Sequence, residues 1–147
     1  MPTPLLIDAL RDFLITEGVV RDPRVAGADP PCWRSPRMGV PAPGDGDAPE
    51  MGASVVVGIF PAAGIARDPY EASVLRTDGI DIRIRSLRPP DAINLDDEIR
   101  GKIMDKRALS MAGLQIVECR LERPMNLIVS DEQGFDYITG YLFERSA

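Results

Sequence analysis

Between Pro4 and Glu17 the residues Leu5, Leu6, Ala9, Leu10, Phe13 and Leu14 recur at helical spacing while Asp8, Arg11 and Asp12 fall opposite, which predicts a one-sided amphipathic helix. Thr3 suits its N-cap, Pro4 its first position and Gly18 its stop. From Arg21 to Gly52 the pattern dissolves. Seven prolines, from Pro23 to Pro49, alternate with Gly27, Gly39, Gly44 and Gly46, so the stretch reads as a long loop with no regular element, anchored to the body by Trp33. A loop of that length calls for a role, and partner binding stands beside a plain excursion.

Strand signals follow. Ser54–Phe60 is a β-branched and aromatic run closed by Pro61, with both faces expected to be buried. Tyr70–Arg76, the turn Thr77-Asp78-Gly79 and Ile80–Leu87 read as a hairpin, because Asp-Gly between extended runs favours a tight turn. Ile80, Ile82 and Ile84 alternate with Asp81, Arg83 and Arg85, the clearest period-two signal in the chain. It describes a sheet with one face on a core and the other in water or at an interface. After Pro89 and Pro90, Asp91 is placed to cap a second helix running to about Lys106, with Leu95, Ile99 and Ile103 on its apolar stripe. Asp96 with Arg100 and Glu98 with Lys102 form i,i+4 pairs assigned to its solvated face. Gly113–Glu122 and Phe135–Glu144 are two further strands, joined by a connection carrying Pro124, Asp131, Glu132 and Gly134. The order is helix, long loop, three strands, helix, two strands. That order predicts an α+β fold, a mainly antiparallel sheet flanked by two helices, in one domain spanning 1–147 with a Pro/Gly-rich insert at about 21–52.

Composition changes this picture mainly by exclusion. A chain of 147 residues with 44% hydrophobic and 27% charged residues is expected to fold around a single core. Its longest uncharged apolar stretch, Ala53–Ala66, is interrupted by Gly58, Pro61 and Gly64 and is too short to cross a bilayer. No secretion signal is read at the N-terminus, so the cytoplasm is the default compartment. Cys32 is read as a loop thiol and Cys119 as a small buried hydrophobe, with no disulfide. Seventeen basic against 23 acidic residues, net −6, argue against a tight grip on a phosphate backbone, which needs clustered cations.

Candidate chemistry is sparse. The chain has no histidine, which removes the commonest general base and metal ligand together. It has no glycine-rich phosphate loop and no cysteine pair at zinc spacing. Asp96, Asp97 and Glu98 are consecutive and spread over different helix faces. Asp45 and Asp47 resemble a fragment of a calcium loop without its remaining ligands. Asp131, Glu132 and Asp136 sit together near a turn but lack a nucleophile. No catalytic, cofactor or metal residue is assigned.

Taken together, the amphipathic N-terminal helix, Val55–Gly64 (VVVGIFPAAG), Ile80–Arg85 (IDIRIR), the acidic helix after Pro90, and Ser130–Phe135 (SDEQGF) leading into Tyr141-Leu142-Phe143 resemble the tail-terminator proteins of long-tailed bacteriophages. The resemblance covers most of the chain apart from the insert, which has no place on the family pattern. It implies a non-enzymatic virion protein, assembled in the host cytoplasm and resident at the neck. Six copies of such a protein form a ring that caps the tail tube, stops its polymerisation and offers a surface for head joining. The implied partners are further copies of the chain, the tail tube protein and the head–tail connector, with DNA passing through the lumen without specific binding. Ring closure needs two different complementary patches on one subunit. The interface residues expected are Arg83 and Arg85, pairing across a subunit boundary with Asp131, Glu132 or Asp136, together with Trp33. Other readings remain: another head- or tail-completion protein of the neck, a small carboxylate enzyme built on Asp131, Glu132 and Asp136, and a ligand-binding module closed by the Trp33 loop.

Overall fold

The computed structural model describes residues 6–25, 27–34, 55–61, 75–104, 109–111, 113–131 and 134–146. Two helices and six strands follow in the order α1 (Leu6–Thr16), β1 (Cys32–Arg34), β2 (Val55–Pro61), β3 (Leu75–Ser86), α2 (Pro89–Ile103), β4 (Leu109–Met111), β5 (Leu114–Asp131) and β6 (Gly134–Ser146). The strands form one sheet in the order β1-β2-β3-β6-β5-β4, antiparallel throughout except for the short parallel pair β1–β2. This is an α+β fold with two helices on a mainly antiparallel sheet, as the hydrophobic patterning predicts.

The helices lie on one face of the sheet because their apolar stripes and the sheet's isoleucines share one core. Leu6, Ala9, Leu10 and Leu14 of α1 are buried with Leu95, Ile99 and Ile103 of α2, and Ile80, Ile82, Ile84, Tyr141 and Phe143 meet them from the sheet. α1 touches β1 and β2 at one end of the sheet and β4 at the other, while α2 rests on β3 and β6. A single helix can reach both ends only if the sheet curls around it. The sheet therefore has a concave face that holds the helices and a convex face opposite. β5 follows the curl through four register shifts against β6, each a point where an extra residue bends the strand.

The predicted stop of α1 is seen in detail. Gly18 takes φ +74°, its N–H donates to Ile15 O, and the Val19 N–H donates to Leu14 O. This paired closure satisfies two end carbonyls and needs a residue tolerant of positive φ. Thr3 and Pro4 lie outside the described residues, and so does the proposed calcium-like fragment at Asp45 and Asp47.

Several expectations are corrected. The stretch 21–52 is not devoid of regular structure: Arg21 and Pro31 form an isolated bridge, and Cys32–Arg34 pairs in parallel with Val57–Ile59. Thr77-Asp78-Gly79 is not a hairpin turn. These residues continue β3, opposite Glu144, Phe143 and Leu142 of β6. A long partner strand supplies their backbone bonds, and Arg145 Nε donates to Asp78 Oδ2 over 2.7 Å, so the local turn preference is overridden. Pro124 is likewise within a strand; it falls between the register positions of Arg123 and Asn126, where a residue without an N–H costs no ladder bond. β5 runs on to Asp131, which pairs with Gly134 at the start of β6. α2 begins at Pro89 after an extended Arg88 and carries no side-chain cap; Asp91 is instead in its first turn, its own N–H donating to Arg88 O.

Candidate functional site

The register of β3 and β6 decides which side chains reach the convex face. Ile82 stands opposite Thr139 and Ile80 opposite Tyr141 on the concave side, so Asp81, Arg83 and Arg85 and their neighbours Gly140, Ile138 and Asp136 face outward. Asp136 is 5% exposed and is shared by two arginines. Arg85 Nη2 donates to its Oδ2 over 3.0 Å, and Arg83 Nη2 stands 3.7 Å from the same oxygen. From β5, Arg123 reaches across Gly140 to donate to Asp81 Oδ1. Only a glycine allows this path, because a Cβ at residue 140 would sit 2.8 Å from Arg123 Nε. Further along, Arg120 Nη2 and Glu144 Oε1 pair at 3.4 Å near Glu118.

Burial separates the partners by sign. The side chains of Asp136 and Asp81 are 6% and 10% exposed, whereas those of Arg123, Arg85 and Arg83 are 54%, 36% and 20% exposed. Solvent therefore meets guanidinium groups with their carboxylates beneath them. Among the described residues, three arginines stand over two carboxylates on this face. Arg83 is the least satisfied of the three: its Nε is buried and has no hydrogen-bond partner among the described residues.

A second polar cluster lies on the concave side, between α2 and β6. Asp96 is 3% exposed, so its pair with Arg100 is directed inward rather than standing on the solvated face predicted from its spacing. Arg100 Nη2 donates to Asp96 Oδ2 at 2.5 Å, and Thr139 Oγ1 donates to Asp96 Oδ1 at 2.8 Å. The Tyr141 hydroxyl is buried beside this group, within reach of the Arg100 guanidinium. Burial, reinforced by the Asp96 carboxylate, pushes its ionisation well above the usual phenol range. This cluster joins helix to sheet. Glu98 is exposed, as predicted, but Lys102 turns to Glu17 of α1 at 3.7 Å.

The sequence-selected residues divide cleanly. Arg83, Arg85 and Asp136 are brought together, within one chain. Asp131 closes β5 opposite Gly134, with its side chain outside the described residues, as is Glu132 entirely. Trp33 stands opposite Gly58 in the edge strand β1, and its side chain too is outside the described residues. Cys32 is no loop thiol but part of β1; it and Cys119 are both buried, and neither is in a disulfide. Sequence reasoning missed Asp81 and Arg123 as partners, although Asp81 belongs to the alternating run that singled out Arg83 and Arg85.

Among the described residues no group of three or more acidic, cysteine or histidine side chains is arranged to hold a metal ion, and no helix is long and apolar enough to cross a membrane. One cleft of about 390 Å³ opens beside α2 and the end of α1, with Asp29, Asp91 and Glu98 among its lining and Val19, Val55 and Leu95 at its base. Neither a protein-family model nor a curated protein sequence matches this chain.

Proposed function

We propose that the chain is a structural subunit of phage tail assembly, a ring-forming tail terminator that caps the tail tube, ends its polymerisation and presents the surface to which the head is joined. One observation supports this reading beyond the sequence resemblance: among the described residues the helices pack on one side of the sheet, and the other side carries arginines seated over buried carboxylates. A subunit of this kind offers two chemically different faces, which is what a closed head-to-tail ring requires. The net charge of −6 suits a collar around a DNA passage, since like charge keeps a phosphate backbone from adhering.

The test has two parts. Native mass spectrometry across a wide concentration range is expected to give a species near 6 × 16.0 = 96 kDa. Added to polymerising tail tube protein, the chain is expected to arrest tube growth and appear as an end cap by electron microscopy. Tubes that elongate unchecked and carry no cap overturn the terminator reading. Binding to the head connector instead of the tube identifies another completion protein of the neck.

A further inference from the structure

Two faces of this subunit are matched in charge but belong to opposite sides of the fold. On the convex face Arg83, Arg85 and Arg123 present guanidinium groups above Asp81 and Asp136, with Arg83 Nη2 3.7 Å from its carboxylate. On the helical side the charged residues of α2 that are fully open to solvent, Asp97 and Glu98, are both acidic. Of its two cations within the helix, Lys102 turns to Glu17, and Arg100 is engaged inward with Asp96 and lies 3.9 Å from Asp97, whose side chain is 67% exposed. The cleft beside them adds Asp29 and Asp91 to the same acidic surface. Asp12 of α1 is also exposed.

We propose that the convex arginine face docks the acidic face of α2 from a second copy of this chain. The contact is heterologous, with one copy supplying the sheet and the next supplying the helix. It rests on the ring reading and specifies its faces. The argument is one of unmet donors. A guanidinium has five N–H groups in a rigid fork, and Arg83 contributes none of them to a hydrogen bond with Asp136, from which it stands 3.7 Å away. A carboxylate arriving from outside offers Arg83 an acceptor that Asp136, 3.7 Å away, does not supply. The exposed acids of α2, Asp97 and Glu98, suit a surface where Arg83 and Arg85 of β3 and Arg123 of β5 stand on either side of β6. The acid-rich end of the convex face, Glu118 and Glu144 about Arg120, would repel the same helix and so fixes where it sits.

The experiment uses two complementary variants of the whole chain. Asp97→Lys with Glu98→Lys spoils the helix face and leaves the sheet intact. Arg83→Gln removes the open fork while keeping the Arg85–Asp136 bond. Each alone is expected to weaken self-association, measured by analytical ultracentrifugation, about tenfold or more. Mixed in equal amounts, they are expected to give a heterodimer of 2 × 16.0 = 32 kDa that grows no further, because only one good interface exists between them. Association of the wild-type chain should weaken as salt rises from about 0.05 M to about 0.5 M, since opposed surface charges are screened. A wild-type chain that forms rings while the helix variant forms them equally well overturns the docking and leaves the ring standing. A wild-type chain that is monomeric at every concentration and salt overturns the docking of copies in solution, while tube capping is decided separately by the growth assay. If Arg83→Gln unfolds, the helix variant alone decides, since Asp97 and Glu98 are exposed.

Discussion

Thr139 Oγ1 donates a 2.8 Å hydrogen bond to Asp96 Oδ1, tying β6 to α2 at a point where both residues are buried. Asp96 also holds Arg100, so one carboxylate is satisfied from the sheet and from its own helix. Removing it leaves the half-buried Arg100 guanidinium with only the Asp97 carboxylate, 3.9 Å away, among the described residues, and strands the buried Thr139 hydroxyl. Asp96→Ala is expected to cost about 3 kcal/mol of stability, whereas Thr139→Val, which removes one donor of a still-paired carboxylate, should cost about 1 kcal/mol. Urea unfolding monitored by circular dichroism measures both. Equal losses in the two variants would mean that Asp96 works only through Thr139.

Asp96 also shows where sequence reasoning stops. Its spacing from Arg100 fixes that the two can pair, but an i,i+4 pair has the same signature whether it points to water or to a sheet. The apolar stripe Leu95, Ile99 and Ile103 was legible because burial of such residues needs no partner of particular identity. The alternation from Ile80 to Arg85 was legible for the same reason. Asp78-Gly79 and Pro124 misled, since both are turn signals locally and only the strand beside them decides otherwise. β6 lies more than fifty residues from Asp78, and that long-range pairing has no local signature. On the convex face, Arg83 and Arg85 were visible as polar strand positions, but their carboxylate, Asp136, could be chosen only once the register was known.

Asp136 carries the second prediction. It is buried beneath two arginines, so Asp136→Asn removes the carboxylate that Arg83 and Arg85 share while preserving shape. The expected loss is about 2 kcal/mol, because two like charges then face each other over a neutral amide. The pair Arg120–Glu144 is a useful contrast, with Arg120 52% exposed and a 3.4 Å separation. Glu144→Gln should cost under about 1 kcal/mol and be erased by salt. Thermal unfolding of both variants at low and high salt separates the cases; similar losses would show that burial is not what gives the Asp136 site its weight.

The β5–β6 turn depends on Gly134. Its φ is +126°, a region closed to residues with a side chain, and a Cβ there would lie 2.5 Å from the carbonyl oxygen of Ser86 at the end of β3. Gly134→Ala therefore combines backbone strain with a clash against backbone that cannot move without disturbing the start of α2. A loss of about 3 kcal/mol or more is expected. Gly101→Ala is the control: nothing lies within 4 Å of its Cβ position and it is helical, so that change should stabilise by up to about 1 kcal/mol. Denaturant midpoints that moved the same way in both would contradict the geometry.

The two cysteines give a prediction in pH. Burial pushes the thiols of Cys32 and Cys119 up to about 12, from an ordinary value of 9.0, the Glu118 carboxylate adding to the effect at Cys119. Between those values the folded chain keeps both protons and the unfolded chain releases them. The unfolded state then binds fewer protons, so stability must fall as pH rises. The contribution is fully present below about pH 9 and is lost progressively toward about pH 12. Other groups titrate in this range, so the informative quantity is the difference between the wild-type chain and Cys32→Ala/Cys119→Ala. That variant should be less stable at neutral pH, because two buried sulfur atoms leave small cavities, yet the gap should narrow as pH rises. In parallel, a thiol-labelling reagent at pH 8 should modify neither cysteine until the chain opens, with labelling rates that follow added denaturant. Rapid labelling of either thiol in the native chain, or a gap that stays constant with pH, would show that the thiols are not held in the protonated, buried state that the sheet imposes.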